Sequence, residues 1–438
     1  MATVFARGSP GAALTARDCR EAVRAAVAHA GDASRTLVLP PDATRAHCGA
    51  GMLTRALYEE TRAAEFCVMP ALGTHRPMTP AQIRHMFGPD IPATAFAEHD
   101  WRNGVTRLGT VPSDFVHRAS GRVLGDVLPG FDIPVEVNRR LVEGGYSAVF
   151  SVGQVVPHEV AGMANGVKNV LVGAGGRGTI NASHFLGAVC GMERIMGRAE
   201  NPVRTVLNYA HDTCLGDVNL VYILTVVKVT SAGRPVLCGL FVGDDHAAFL
   251  RAAHLSRQVN VHLLDEPQQR VVAWLDPREF HSAWLANKAI YRTRMAVADG
   301  GELLVLAPGV RTFGEDATID RLVRRYGYRG TAATLRAVRG DAELQDNLSA
   351  AAHLIHGSSE GRFRIVYATD PALMPHAEIE AAGFYPADVG PLQQRYDPER
   401  LKPGRNDRFY FVPSPALGLW ASRQAFSHGG EEPAGANT

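Results

Sequence analysis

Lys168 is one of only four lysines in a chain of 438 residues whose Lys and Arg together number 45. Around it the sequence runs Gly153-Gln-Val-Val-Pro-His158-Glu-Val-Ala-Gly-Met-Ala-Asn-Gly-Val-Lys168-Asn-Val-Leu-Val-Gly173, and His184 follows in Asn181-Ala-Ser-His184. An amine can form a covalent amide or imine and a guanidinium cannot, so a lysine beside two histidines suggests attachment chemistry. Three further groups could join it: Asp42-Ala43-Thr44-Arg45, His75 within Gly73-Thr-His-Arg-Pro-Met78, and Trp284-Leu-Ala-Asn-Lys288. Taken singly, each has an ordinary explanation. Lys168 could be a solvated surface lysine, His75 and His184 packed histidines, His158 the end of a strand, and Asp42 with Arg45 a loop ion pair. Trp284 and Lys288, four apart, could be a packed aromatic and its snorkelling neighbour.

The elements that must position these residues read as an α/β chain with much parallel sheet, because short apolar runs alternate with helical patterns. Thr15 caps a helix through Ala30 that Gly31 ends, and Leu37–Leu39 is a buried strand with Asp42–Arg45 at its C-terminal end. A helix near Leu53, Leu57 and Tyr58 leads to a strand at Phe66–Met69, whose exit carries His75. Thr79-Pro80-Ala81-Gln82 supplies a capping box with proline at the first helical position, and Gly88 ends that helix. His75 and Arg76 therefore stand near a helix N-terminus, a natural place for an anion. A strand over Tyr146–Val152 delivers His158, and a strand over Val170–Val172 delivers a glycine turn and His184. Ligands of open α/β sheets bind at the C-terminal ends of strands, so four exits converge on one candidate site.

Further on, Leu220–Val229 and Val236–Val242 form a hairpin. A domain boundary is expected near 265–278, giving an N-terminal α/β domain over 1–270 and a C-terminal α/β domain over 271–405. The second begins with a helix over Phe280–Ala298, continues through strands at Leu303–Leu306 and Phe363–Tyr367, and contains helical segments through His356. Residues 406–426 return to the first domain and 427–438 form a flexible tail.

Composition excludes several classes. At 46% hydrophobic, 20% charged and a net charge of +1, the chain can bury a large core and has no basic run or aromatic-basic stripe for nucleic acid. The preference for arginine reads as coding bias. The six cysteines lack a C-x-x-C pair, which argues against a zinc ribbon and a secreted disulfide framework and for reduced thiols in cytoplasm. No apolar run reaches membrane-spanning length.

Together these motifs resemble the nickel-pincer-nucleotide lactate racemase family. Asp42-x-x-Arg45, Gly-Thr-His75-Arg-Pro-Met, His158 with Lys168 ten residues later, and Asn-x-x-His184 sixteen beyond occur in that family's order and at similar spacings. The resemblance implies two domains with mixed, largely parallel sheets and a cofactor cleft between them. It implies a nickel-pincer nucleotide covalently attached through Lys168, His184 as the nickel ligand, and His75 and His158 as acid and base. Asp42, Ala43, Thr44, Arg45 and Lys288 would bind cofactor, while Arg45 and Trp284 would bind substrate. Leu285 departs from the glutamine often found there, which hints at a substrate other than lactate. The implied partners are a small 2-hydroxy acid and cofactor-maturation proteins.

Such chemistry would use these residue types together. The C2–H bond of a 2-hydroxy carboxylate is a very poor acid, and hydride transfer avoids the carbanion. One histidine removes the hydroxyl proton as hydride passes to the cofactor, and a transient 2-oxo acid can take hydride back on either face. Two histidines on opposing sides then serve both enantiomers, with an ordinary imidazole pKa of about 6.5. Arg45 suits a carboxylate through paired hydrogen bonds, and neutral imidazole with sulfur donors suits nickel. The rival is Gly173-Ala-Gly175-Gly176-Arg-Gly178, which fits G-x-G-x-x-G after an expected strand and would make the protein an NAD-dependent 2-hydroxy acid dehydrogenase. No ribose-binding acid ends a strand about 20 residues on, as that motif requires. A zinc hydrolase built on His75, His158 and His184, or a non-catalytic nucleotide-binding relative, are the remaining alternatives. His47, His99, His211 and His246 have no assigned role, although His99-Asp100 could support the site from behind.

Overall fold

A computed structural model of the protein describes residues 3–124, 128, 130–230 and 233–428. The expected tail from Ser427 thus falls almost wholly outside the described residues. Two compact units emerge. The first takes the chain up to Ser183 and then Gly197–Asn260; the second takes His184–Met196 and the chain from Val261 onward.

The first unit opens with β1 (Thr3–Gly8), α1 (Ala16–Ala30) and β2 (Arg35–Leu39), then α2 (Ala50–Thr61), β3 (Glu65–Val68) and α3 (Pro80–Phe87). Next come β4 (Val105–Val111), α4 (Ser113–Ser120), β5 (Ile133–Asn138), α5 (Arg140–Glu143) and β6 (Ala148–Gln154). A two-residue pair, β7 (Pro157–His158) and β8 (Gly162–Met163), follows. α6 (Arg177–Cys190) and α7 (Met192–Ile195) carry the chain into the second unit. It returns with α8 (Pro202–Cys214), β9 (Leu220–Val229), β10 (Pro235–Gly243) and α9 (His246–Asn260).

Six strands form one sheet in the order β1-β10-β9-β6-β2-β3. Its β9-β6-β2-β3 half is parallel and its β1-β10-β9 half antiparallel. α1 forms because Cys19, Ala22, Val23, Ala26 and Ala30 line one face at helical spacing. It starts where Thr15 and Asp18 exchange bonds with each other's backbone N–H. That face packs with Leu53 and Leu57 of α2 against Val38, Phe150, Val152 and Ile223. Phe150 and Val152 share a face because strand side chains alternate. The opposite face of the parallel strands is buried as well, at Leu37, Leu39 and Ser151. That explains why the central runs read as continuously apolar.

Val170–Val172, expected as a strand, is instead part of a buried π-helical turn over Asn169–Gly173, closed by the Ala174 N–H on the Asn169 carbonyl at 3.0 Å. A short apolar run between glycines reads the same whether a buried strand or a buried helical turn forms.

The second unit continues with β11 (Val261–Leu264), β12 (Gln268–Trp274), α10 (Ala283–Ala286), α11 (Lys288–Tyr291) and β13 (Val297–Leu306). After α12 (Ala317–Tyr326), α13 (Thr331–Gly340), α14 (Ala342–Gln345) and α15 (Leu348–His356) come β14 (Arg364–Thr369) and β15 (Tyr385–Asp388). β16 (Gly404–Arg405), β17 (Tyr410–Val412) and β18 (Leu419–Ser422) complete it. Its six-stranded sheet runs β15-β14-β13-β12-β17-β16, parallel except for the β16 edge. Val272, Leu304, Leu306, Ala368 and Phe411 form its core. β18 pairs with β11 in a separate two-stranded sheet.

The long helix expected over Phe280–Ala298 is broken into α10 and α11, and β13 already begins at Val297. Asn287, Arg292, Thr293 and Arg294 are all buried, and each takes its own polar partner. Thr293 bonds the Ala289 carbonyl, Arg292 the Gly418 carbonyl at 3.0 Å, and Arg294 the Ser358 carbonyl at 3.1 Å. One apolar stripe on a straight helix could not meet those demands. No described helix is long and apolar enough to cross a membrane, and the six cysteines are unpaired.

Within the second unit, Glu193 of α7 accepts from Arg294 at 3.0 Å and from Arg362 at 3.3 Å, and the Arg294 side chain is only 4% exposed. Removing one partner strands the other in a poorly solvated place. Glu193→Ala should therefore destabilise this unit by about 3 kcal/mol in urea denaturation, the low end for a broken buried pair because the carboxylate is partly solvated.

Candidate active site

Three adjacent parallel strands, β6, β2 and β3, end side by side, and their exits carry His158, Asp42 with Arg45, and His75. Asp42 caps a short 3₁₀ turn over Ala43–Cys48, its Oδ1 accepting the Thr44 backbone N–H at 3.0 Å and the Thr44 hydroxyl. Its other oxygen lies 2.6 Å from Nδ1 of His75. The carboxylate is buried while the His75 side chain is about half exposed, at 53%. Burial alone would raise the Asp42 pKa. The His75 hydrogen bond and charge, with the Thr44 bonds, outweigh it and bring the group down to about 2. An ionised carboxylate only accepts, so His75 donates from Nδ1 and turns Nε2 outward as the basic nitrogen.

His158 is arranged the other way. Its Nδ1 accepts the backbone N–H of Val160 at 3.1 Å and, more weakly, that of Ala161 at 3.5 Å. The neutral ring therefore carries its proton on Nε2.

Lys168 sits immediately before the π turn. Two left-handed residues precede it, Asn165 at φ 64° and Gly166 at φ 60°. A Cβ on Gly166 would stand 2.9 Å from the Phe249 ring, so glycine suits the position on both counts. Burial lowers the Lys168 pKa to about 8; the Arg45 and Arg204 charges act in the same direction, against Glu159 and Asp42. Arg45 has no carboxylate partner among the described residues, and its charge also reaches His47.

Asn169 escaped the sequence reading. Its side-chain amide donates to the Leu39 carbonyl and the Ser151 hydroxyl, both at 3.0 Å, fastening the Lys168 turn to the end of β2 and the middle of β6. At the other end of the turn the Gly173 carbonyl accepts the Gly73 N–H at 2.8 Å and so holds the His75 loop. The only signal in the sequence was a polar residue opening an apolar run. Beside the expected anion place, the reciprocal bonds of Thr79 and Gln82 occupy two backbone N–H groups at the start of α3.

The glycine motif is not a dinucleotide cradle. No strand precedes it. The N–H of Gly178 donates to Glu136 Oε2 at 2.8 Å and that of Gly176 to the Glu136 carbonyl at 3.1 Å, so a carboxylate already sits at the start of α6. A Cβ on Gly175 would fall 2.0 Å from the Leu171 carbonyl oxygen, and one on Gly176 2.4 Å from Glu136. These glycines serve close packing. His99, buried, supports the same turn by bonding the Gly175 carbonyl at 3.0 Å while its Nδ1 accepts from Asn138, also at 3.0 Å.

The second unit carries the other predicted residues. His184 lies on α6, Trp284 on α10, and Lys288 opens α11. The Trp284 ring stands 4.4 Å from that of buried His353, whose Nε2 is 3.0 Å from the Tyr328 hydroxyl and 3.4 Å from the Asn287 amide. Among the described residues no group of three His, Cys, Asp or Glu side chains is placed to hold a metal ion.

Residues 21–195 match the family model of the lactate racemase N-terminal domain. That segment contains Asp42, Arg45, His75, His158, Lys168 and His184, and bears out the resemblance seen in their spacing. The fold is shared along nearly the whole chain with two solved structures. A protein from Thermotoga maritima is 24% identical with a TM-score of 0.78, covering 95% of this chain and 100% of its own. The lactate racemase apoprotein from Thermoanaerobacterium thermosaccharolyticum is 17% identical with a TM-score of 0.67, covering 95% and 94%. A search of curated proteins found no match. Trp284 and Lys288 lie beyond the segment that the family model matches.

Because the Asp42 carboxyl is held below its ordinary 3.8, at about 2, its contribution is complete above about pH 4 and disappears as pH falls towards 2. Asp42→Asn should remove about 1–2 kcal/mol of acid-dependent stability, flattening the urea-midpoint profile between about pH 5 and 2. An unchanged slope would show that the pair is not formed.

Proposed function

We propose that the protein is a racemase or epimerase that inverts C2 of a 2-hydroxy acid with a lysine-tethered nickel-pincer nucleotide. The observation that carries this reading is a partly buried lysine of lowered pKa, within electrostatic reach of Asp42 and Arg45, inside a segment matching the lactate racemase N-terminal domain.

The residues present fit the group. A covalent tether needs the neutral amine. With its pKa lowered to about 8, far more of Lys168 is neutral near pH 7.5 than of an ordinary lysine. When bound, the nickel-pincer nucleotide supplies the hydride acceptor and donor.

The chain's own residues handle binding and protons. Arg45 holds the substrate carboxylate. His75 takes the hydroxyl proton at Nε2, and Asp42 keeps its ring in the right tautomer and stabilises the imidazolium that forms. C2 becomes a carbonyl carbon as its hydrogen leaves with two electrons, and return of hydride to the other face gives the opposite configuration. His158, carrying its proton at Nε2, donates a hydrogen bond to the substrate oxygen from its own side. To act as a base it must first give up its Nδ1 contacts with Val160 and Ala161. The two histidines are therefore inequivalent, and kcat and KM taken separately should depend differently on pH for the two enantiomers, while the ratio of their kcat/KM values stays fixed by the equilibrium between them. His184, Lys288, Trp284, Ala43 and Thr44 keep the ligand and lining roles that the resemblance implies, and Leu285 favours a substrate less polar at that contact.

The test is co-production with the cofactor-maturation proteins, followed by nickel analysis, peptide-mapped mass spectrometry and a chiral screen of 2-hydroxy acids. A nucleotide adduct on Lys168 with bound nickel is expected, absent in Lys168→Ala. His75→Ala and His158→Ala should keep the adduct and lose about 10²- to 10⁴-fold in racemisation. Wild-type rates in both variants would overturn the assignment.

A further inference from the structure

Arg204, in the first turn of α8, is only 1% exposed and is among the largest fully buried side chains of the protein. No carboxylate pairs with it among the described residues. Its guanidinium instead serves the loop between His158 and Lys168. Nη1 donates to the Asn165 carbonyl at 3.1 Å, and Nη2 to those of Met163 and Ala161, the latter at 3.5 Å. Phe249 covers the guanidinium, 4.2 Å from its ring centroid.

The neighbourhood reinforces the grip. Asn201 caps α8 by accepting the Arg204 backbone N–H at 3.0 Å and donates to the same Ala161 carbonyl at 3.1 Å. The Gly197 N–H bonds the Gly162 carbonyl at 2.9 Å. The loop needs such help because three of its residues, Gly162, Asn165 and Gly166, are left-handed, at φ 73°, 64° and 60°, and its carbonyls lie inside the protein. Unpartnered, each buried carbonyl would cost about 1–3 kcal/mol.

A buried cation is a costly way to satisfy carbonyls, since several kcal/mol are lost in desolvating it. Burial lowers even its pKa, to about 9, and its Nε finds no partner. What a planar fork provides is a fixed spacing between three acceptors. What the charge provides is a positive field at Lys168.

We propose that Arg204 is the positioning residue of the attachment loop, fixing the backbone from Ala161 to Asn165 so that His158 and Lys168 are presented in one geometry. The proposal rests on the reading of Lys168 as the attachment point. Four charged groups act on that amine: Arg45 and Arg204 favour the neutral form, Glu159 and Asp42 the charged one.

The experiment uses the full-length protein without cofactor, so that it is separable from the racemase reading. Wild type, Arg204→Lys and Arg204→Met are compared by hydrogen exchange of the Val160–Gly166 amides and by the pH dependence of Lys168 acetylation with limiting acetic anhydride, read by peptide mass spectrometry. Arg204→Lys keeps the charge and loses the fork. Its loop amides should exchange at least tenfold faster while the Lys168 midpoint stays near about 8. Arg204→Met loses both, so its Lys168 midpoint should also rise. Unchanged loop exchange in both variants would overturn the positioning role, and an unchanged midpoint in Arg204→Met would show that the Arg204 charge does not reach Lys168. If Arg204→Met does not fold, Arg204→Lys decides the positioning role alone. Loss of protection throughout both variants would also overturn it, because Arg204 would then support the fold and not the loop. An unmodified Lys168 in wild-type protein matured with its cofactor proteins would remove the racemase reading and leave the exchange result standing.

Discussion

The side-chain amide of Asn169 ties the candidate site to the sheet. Parallel strands bring their C-terminal ends to one edge but leave those ends with unpaired carbonyls and loops free to diverge. Two hydrogen bonds from one buried amide, to Leu39 at the end of β2 and to Ser151 inside β6, fasten the turn beginning at Lys168 across both strands. The same turn ends at Gly173, whose carbonyl holds Gly73 and with it the loop of His75. Asp42 then reaches from the exit of β2 to the His75 ring. Residues more than 100 positions apart in sequence are set by a few bonds around one helical turn, and each bond is buried enough to be costly to lose.

Charge in this part of the first unit is arranged against the ordinary preferences of its groups. Arg45 and Arg204 both act on Lys168, yet neither has a carboxylate partner among the described residues. Of the two acids that act on Lys168, Glu159 and Asp42, the latter is committed to His75 and Thr44. A lysine among cations and away from water releases its proton easily. A salt-bridged lysine would gain stability and lose nucleophilicity. The arrangement therefore favours reactivity over stability, a trade common where side chains do chemistry.

Much of this was legible in the sequence. Thr15 with Gly31 and Thr79 with Gly88 marked helix ends correctly because caps are local physics. Strands at Leu37–Leu39 and near Phe66 and Val149 were legible because strands buried on both faces read as apolar runs. The order of Asp42, His75, His158 and Lys168 along the chain was legible too, and three of them do leave adjacent strand ends. Tertiary demand hid the rest. Nothing local distinguishes the π turn at Val170–Val172 from a strand, and nothing near Arg204 announces that its partners are carbonyls some 40 residues earlier. The broken helix after Phe280 follows from buried polar residues that meet distant groups such as Ser358 and Gly418.

The glycine motif shows how a spacing can be satisfied by opposite physics. In a dinucleotide site, glycines let the backbone approach a pyrophosphate, and the helix N-terminus supplies the positive end of its dipole to the anion. Here the backbone approaches β5 just as closely, and Glu136 provides the anion from within the protein. The dipole and first amides of α6 are satisfied before any ligand arrives, so a second anion there would meet a carboxylate. From the glycine turn, α6 runs on to His184, where the chain enters the second unit. The glycines thus place the start of the helix against β5.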